Sequence, residues 1–270
     1  MKKFCVILPA AGKSSRFGNL HYKKPFAMLN DRAVWLHSAQ RFLNRDDVTQ
    51  LLLVVAPEDY EEVLWKYQAD LTFLGIQVVR GGKERSDSIA NAIPHIDPQC
   101  DFVCIHDAAR PCVTDAWIQD VFEVAERTGA AILGIPLADT IKKIEPSPSA
   151  NRRKKKALSL DQLIPDNQSP EKEKGDGTIL GTLDRTNVWA AQTPQVFRRD
   201  WFEEMYAHRS AGNSPLITDD AMLFELAGKH VHVVESSSMN LKITTQDDLK
   251  LAEAIHKILF QPRKATFHDL

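Results

Sequence analysis

Phe4-Cys5-Val6-Ile7-Leu8, followed without a break by Pro9-Ala10-Ala11-Gly12-Lys13-Ser14-Ser15-Arg16-Phe17-Gly18, is the stretch that decides the fold. A continuous apolar run is what a parallel strand covered on both faces requires; a half-exposed strand would alternate. The loop leaving it holds small residues, hydroxyls and cations. Ala and Gly let an anion approach the backbone, and Ser, Lys and Arg add donors, so the loop can turn its N–H groups toward a phosphate. An ordinary βα turn carrying surface charge is the plainer reading.

Spacing excludes two familiar phosphate loops. Gly12-Lys13-Ser14 ends like a Walker A motif, but the glycine this requires further upstream is Ile7. No G-x-G-x-x-G follows the strand, so the dinucleotide fingerprint is absent as well.

Outward from this stretch, short apolar runs recur at 51–56, 76–79, 102–105, 130–136 and 231–234, each read as a strand. Helical spacing marks 33–43, 58–69, 86–93, 117–127, 200–208 and 218–226, with Thr218 as N-cap of the last, and a closing helix starts at Thr245. Leu29 is expected to open a further apolar stretch of helix. Alternating strands and helices predict an α/β fold: a Rossmann-like, mostly parallel twisted sheet with helices on both faces. In such a sheet ligands bind at the carboxyl ends of the strands. The first, third and fourth strands deliver polar loops there: Pro9 to Gly18, Gly81-Gly82-Lys83-Glu84-Arg85, and His106-Asp107-Ala108-Ala109-Arg110-Pro111. Asp107 could hold a divalent cation, directly or through water, or accept from ribose hydroxyls. Arg110 either meets a second substrate or braces Asp107, and His106 reads as a satisfied structural histidine. Asp219 and Asp220 suit either a helix dipole or a site.

With 270 residues, 43% of them hydrophobic, the chain can build one α/β domain, placed at 1–261 with 262–270 as a tail. A formal net charge of −2 supplies no global field for nucleic acid or an anionic membrane. No apolar run approaches the roughly 18–20 residues of a membrane span. Met1-Lys2-Lys3 leads into a strand rather than a signal peptide, and a cytoplasmic location is expected. Cys5, Cys100, Cys104 and Cys112 form no C-x-x-C pair, so reduced thiols are expected. From 145 to 176 prolines and mixed charge replace core residues, predicting an exposed excursion. Its run Arg152-Arg153-Lys154-Lys155-Lys156 lacks the interleaved aromatics of a nucleic-acid platform.

Pro9-Ala10-Ala11-Gly12, Arg16 and Lys24-Pro25-Phe26 resemble the signature shared by sugar-nucleotide pyrophosphorylases and cytidylyltransferases. Gly81 to Ser88, His106 to Pro111, Asp184-Arg185 with Thr193-Pro194-Gln195, and Asn240 to Thr244 narrow the match. In this order they resemble the 2-C-methyl-D-erythritol 4-phosphate cytidylyltransferase family over nearly the whole chain. The resemblance implies transfer of CMP from CTP to a polyol phosphate with release of pyrophosphate, in the non-mevalonate isoprenoid precursor pathway. Another acceptor such as ribitol 5-phosphate stays open, because such relatives share the loops.

By the same resemblance, Arg16 and Lys24 are the catalytic cations. Lys23 is a rival for Lys24, whose K-x-aromatic context favours it. Pro9, Ala10, Ala11, Gly12 and Lys13 would hold CTP together with Gly82, Arg85, Ser88 and Asp107, the Gly82 backbone reading the cytosine ring. Arg110, Asp139, Thr140, Arg185, Thr193 and Lys242 would surround the acceptor phosphate. Residues 140–187 correspond to a protruding β-arm, longer here by its polar insert, that reaches a second subunit and delivers Arg185. A homodimer follows, as does Mg2+ or another divalent cation bridging the triphosphate. A catalytically silent nucleotide-binding module would have lost its cations, yet Arg16, Lys24, Arg185 and Lys242 are all present.

Overall fold

The structure, a computed structural model, describes residues 1–12, 24–146, 177–208 and 217–260. Lys13, Arg16 and Lys23, most of the polar insert and the tail therefore lie outside the described residues. The described chain divides into two compact units, Met1–Ile135 with Ala191–Leu270, and Pro136–Ala190.

In chain order the elements begin with β1 (Phe4–Pro9), β2 (Met28–Leu29), β3 (Arg32–Ala33), α1 (Val34–Leu43) and β4 (Val48–Val55). Next come α2 (Tyr60–Lys66), α3 (Gln68–Leu74), β5 (Gln77–Arg80), α4 (Arg85–Ala92), β6 (Phe102–Ile105), α5 (Asp115–Thr128) and β7 (Ala130–Pro136). The second unit contributes β8 (Lys142–Pro146) and β9 (Gly177–Thr182). Then follow β10 (Trp189–Arg198), α6 (Arg199–Ala207), α7 (Ala221–Leu226), β11 (His232–Glu235) and α8 (Gln246–Phe260).

A seven-stranded sheet runs in the order β11-β7-β10-β6-β1-β4-β5. β1 pairs in parallel with both β4 and β6, and β4 in parallel with β5. The chain thus leaves β1 in one direction and returns to its other side, which makes the carboxyl end of β1 the switch point where a crevice opens. Strand pleating explains the unbroken apolar run. Phe4, Val6 and Leu8 enter one core with Leu51, Leu53 and Val55, against α1, α3 and α5. Cys5 and Ile7 enter the opposite core with Leu52, Val54, Val103 and Ile105, against α4, α6 and α7. On the first face the rings of Phe4 and Phe122 stack at 3.9 Å. All four cysteines are free and buried.

Three local expectations are corrected. Leu29 opens no helix: β2 and β3 form a hairpin across Asn30 and Asp31, both at positive φ (47° and 61°), a turn geometry these two residue types tolerate. The helix expected over 58–69 is a 3-10 turn, then α2, then α3, interrupted at Tyr67, whose φ of −111° leaves the helical region. The N-cap position of α7 is Asp220 and not Thr218, and Asp219 Oδ1 accepts from Met222 N in the first turn at 3.2 Å. Trp189–Arg198, assigned to no element from sequence, is a strand antiparallel to β6 with Gln195 opposite Ile105. Its polar residues and Pro194 hide that strand from pattern reading.

In the second unit, β8 and β9 pair antiparallel, and Leu137 N donates to Val188 O at 3.0 Å. Every residue of β9 is exposed, including Ile179 and Leu180. Among the described residues no helix is long and apolar enough to cross a membrane.

Candidate active site

The first wall of the crevice is the end of β1. Ala10 N donates to Val54 O at 2.7 Å, which draws Pro9 to Gly12 over the sheet edge. The second wall is the turn from β5 into α4. Gly81 N donates to Val55 O at 2.7 Å, and Ser88 Oγ accepts from Gly82 N at 3.1 Å while donating to Glu84 O at 3.0 Å. Ser88 is buried, so its hydroxyl shapes the loop from behind. A Cβ on Gly82 would lie 2.4 Å from Asp87 Cβ, and only glycine lets the loop pass there. Glu84 and Asp87 close a reciprocal capping box at the start of α4, leaving this helix terminus facing the crevice.

The third wall is the loop after β6. His106 is buried; its Nε2 lies 3.1 Å from Arg110 O and its Nδ1 3.3 Å from Thr193 Oγ1. A carbonyl can only accept, so Nε2 carries the proton and the threonine hydroxyl donates to Nδ1. That hydroxyl also accepts from Asp107 N at 3.0 Å. Both nitrogens are satisfied, and burial lowers the imidazole pKa to about 4. His106 is therefore a neutral strut.

Asp107 gathers the cations. Its Oδ2 lies 2.8 Å from Lys242 Nζ and 3.4 Å from Arg110 Nε, and its Oδ1 lies 3.9 Å from Arg85 Nε. Burial alone would raise the carboxyl pKa; Lys242, Arg85 and Arg110 together hold it well below the usual carboxylate range. Arg110 is itself buried and donates from Nη1 to Asn240 O at 2.7 Å, so it braces the Asp107 loop against the segment carrying Lys242. That segment is anchored in turn by Asp248, whose Oδ2 accepts from Thr244 N and Thr245 N, both at 2.8 Å.

These walls enclose a cavity of about 340 Å³, a size suited to a nucleotide fragment. Pro9 to Gly12, Lys24, Gly82, Arg85, Ser88, Asp107 and Lys242 all line it. A second cavity of about 230 Å³ shares Arg85, Asp107 and Lys242 and adds Arg110, Thr193, Gln195, Thr218 and Asp219. Asp139, Thr140 and Arg185 belong to the second unit and are exposed; Arg185 Nη1 donates to Leu137 O at 3.2 Å within it. Sequence reading gave Gln192 and Gln195 no role. Gln192 Oε1 accepts from Asn240 Nδ2 at 2.8 Å, and Gln195 Oε1 accepts from Asp220 N at 3.1 Å. Gln195 lay in the Thr193-Pro194-Gln195 motif, while Gln192 carried no signal beyond its polarity.

The sequence profile of the 2-C-methyl-D-erythritol 4-phosphate cytidylyltransferase (IspD) family matches residues 4–161 and 163–257. The chain belongs to that family. The family's members are nucleotidyl-transferring enzymes, and the fold is theirs as well. The 2-C-methyl-D-erythritol 4-phosphate cytidylyltransferase of Rhodopirellula baltica is 36% identical over 261 residues, covering 93% of each chain. That of Bacillus thuringiensis is 34% identical over 255 residues, covering 93% of this chain and 96% of its own. The crystal structure of the Francisella tularensis IspD superposes with a TM-score of 0.69 at 28% identity, covering 94% of this chain and all of its own (100%).

Proposed function

We propose that the chain transfers CMP from CTP to 2-C-methyl-D-erythritol 4-phosphate, giving 4-diphosphocytidyl-2-C-methyl-D-erythritol and pyrophosphate for isoprenoid precursor synthesis. The observation that supports this most is the convergence of three strand-end loops and Lys242 on one cavity, with Asp107 pre-arranging its cations.

An oxygen of the acceptor phosphate attacks the α-phosphorus of CTP. The new P–O bond forms as the bond to the bridging oxygen breaks, and pyrophosphate leaves with that electron pair. The nucleophile is already an anion, so no strong base is needed. The barrier is electrostatic, and positioned cations lower it. Arg16 and Lys24 stabilise the charge growing on the α-phosphate. The backbone of Gly81 and Gly82 reads the pyrimidine edge, with Ser88 holding that loop in shape, and Pro9 to Lys13 and Arg85 cradle the phosphates. Lys242 and Arg185 orient the acceptor phosphate, beside Thr193, Asp139 and Thr140, with Arg110 as the brace behind.

Asp107 does not fit a resident dication, because its two oxygens already face three cations. Among the described residues no cluster of His, Cys, Asp and Glu could hold a metal either. Mg2+, or another divalent cation, would instead accompany the triphosphate and offset its charge, with little call on protein ligands.

Residues 140–187 act as the arm of a single domain spanning 1–261. The exposed Ile144, Ile179 and Leu180 suit a homodimer contact that brings Arg185 to the neighbouring active site. The cytoplasm, where CTP is made, is the working compartment. Pyrophosphate release with CTP, measured side by side against methylerythritol phosphate and ribitol 5-phosphate, tests the reading. Turnover is expected with the former; preference for the latter would replace the acceptor, and silence with both would refute the activity.

A further inference from the structure

We propose that Asp220 is the positioning residue for Arg85, fixing in one orientation the guanidinium that lines both cavities. The assignment rests on the reading of the crevice as a CTP site. Asp220 is completely buried at the start of α7, and its Oδ2 lies 2.7 Å from Arg85 Nη2. Tyr206 of α6 donates its hydroxyl to Asp220 Oδ1 at 2.5 Å. Gln195 Oε1 accepts from Asp220 N at 3.1 Å and Ala221 N at 3.2 Å, which ties the start of α7 to β10. Tyr206 thus holds the carboxylate itself, while Gln195 holds the backbone that carries it.

Stability alone gives no reason for this arrangement. Tyr206 and Ala221, beside Asp220, belong to the core that also holds Phe202, Met205 and Phe224. In such a place a well-packed hydrophobic residue usually serves the fold as well as an ion pair does. What the carboxylate adds is direction. Arg85 is a long side chain with many rotamers, and Asp107, shared with Lys242 and Arg110, approaches its Nε only to 3.9 Å. Pairing Nη2 with Asp220, with Nε on the Asp107 side, fixes the planar fork where Arg85 lines both cavities. An arriving triphosphate then meets an arginine whose entropy has already been spent.

The test is steady-state pyrophosphate release with Mg·CTP and acceptor, using Asp220→Asn, Tyr206→Phe, Arg85→Ala and the double variants. Asp220→Asn is expected to raise the KM for CTP about tenfold, and Tyr206→Phe about threefold, with the acceptor KM within about twofold of wild type. Both effects should vanish in the Arg85→Ala background, because they act through Arg85. A wild-type KM for CTP in folded Asp220→Asn, or the same loss with and without Arg85, would overturn the assignment. Should Asp220→Asn not fold, the Tyr206→Phe pair decides by the same criterion. A wild-type chain that releases no pyrophosphate sinks the functional reading instead. Calorimetric CTP binding to the same variants then judges Asp220, and absence of CTP binding to wild type overturns both.

Discussion

Lys242 Nζ sits 2.8 Å from Asp107 Oδ2, joining the loop after β6 to the segment that leads into α8. Asp107 is buried while the Lys242 side chain is 45% exposed, so the lysine is held at the crevice but stays within reach of an incoming anion. On the proposed function, the carboxylate holds Lys242 in place for the acceptor phosphate.

Lys242→Ala should therefore raise the acceptor KM roughly tenfold, the scale of one charge-assisted contact. It should change unfolding free energy by less than about 1 kcal/mol, as half-exposed pairs do. Initial-rate kinetics and urea melts check both. An unchanged acceptor KM would contradict the role of Lys242.

Gly82→Ala places a methyl 2.4 Å from Asp87 Cβ and 3.1 Å from its carbonyl carbon. The loop must move, at an overpacking cost of about 1–3 kcal/mol, and the KM for CTP should rise with it. A thermal melt and a CTP titration would detect this. A variant melting and binding like wild type would mean the slot is wider than drawn.

Arg16→Ala and Lys24→Ala should each lower kcat by roughly 10²-fold or more, the scale of losing one preorganised donor, with smaller changes in KM. Arg185→Ala should act mainly on the acceptor KM. Mixing Arg16→Ala with Arg185→Ala subunits should restore part of the activity if the arm completes a neighbour's site; a flat result speaks against exchange.

Acid should weaken the fold through His106. Burial lowers its pKa from 6.5 to about 4, so the unfolded chain takes up this proton first as pH falls. Stability present above pH 6.5 is then lost down to about pH 4, at a limiting slope of about 1.4 kcal/mol per pH unit. His256, lowered to about 4 chiefly by burial, acts in the same direction. Asp107 has a depressed pKa, so its contribution is lost only at lower pH, below the ordinary carboxylate range. Urea melts between pH 7 and 4.5 should show a shallower slope for His106→Asn than for wild type; parallel curves would rule His106 out as the source.

The strand run from Phe4 to Leu8, the paired glycines at 81–82 and the His106–Arg110 loop could be read from the chain alone. Apolar periodicity, glycine and proline act over a few residues, and parallel sheets place successive loops at one edge. The order of five short motifs likewise carried the family without coordinates. Only the tertiary structure decided that β10 slots antiparallel beside β6, that Arg110 ties the Asp107 loop to Asn240, and that Asp219 bonds the first turn of α7 while Asp220 grips Arg85. Neighbouring aspartates look identical in sequence. Their roles diverge because burial and ion pairing depend on which distant strands and helices the chain brings within a few ångströms.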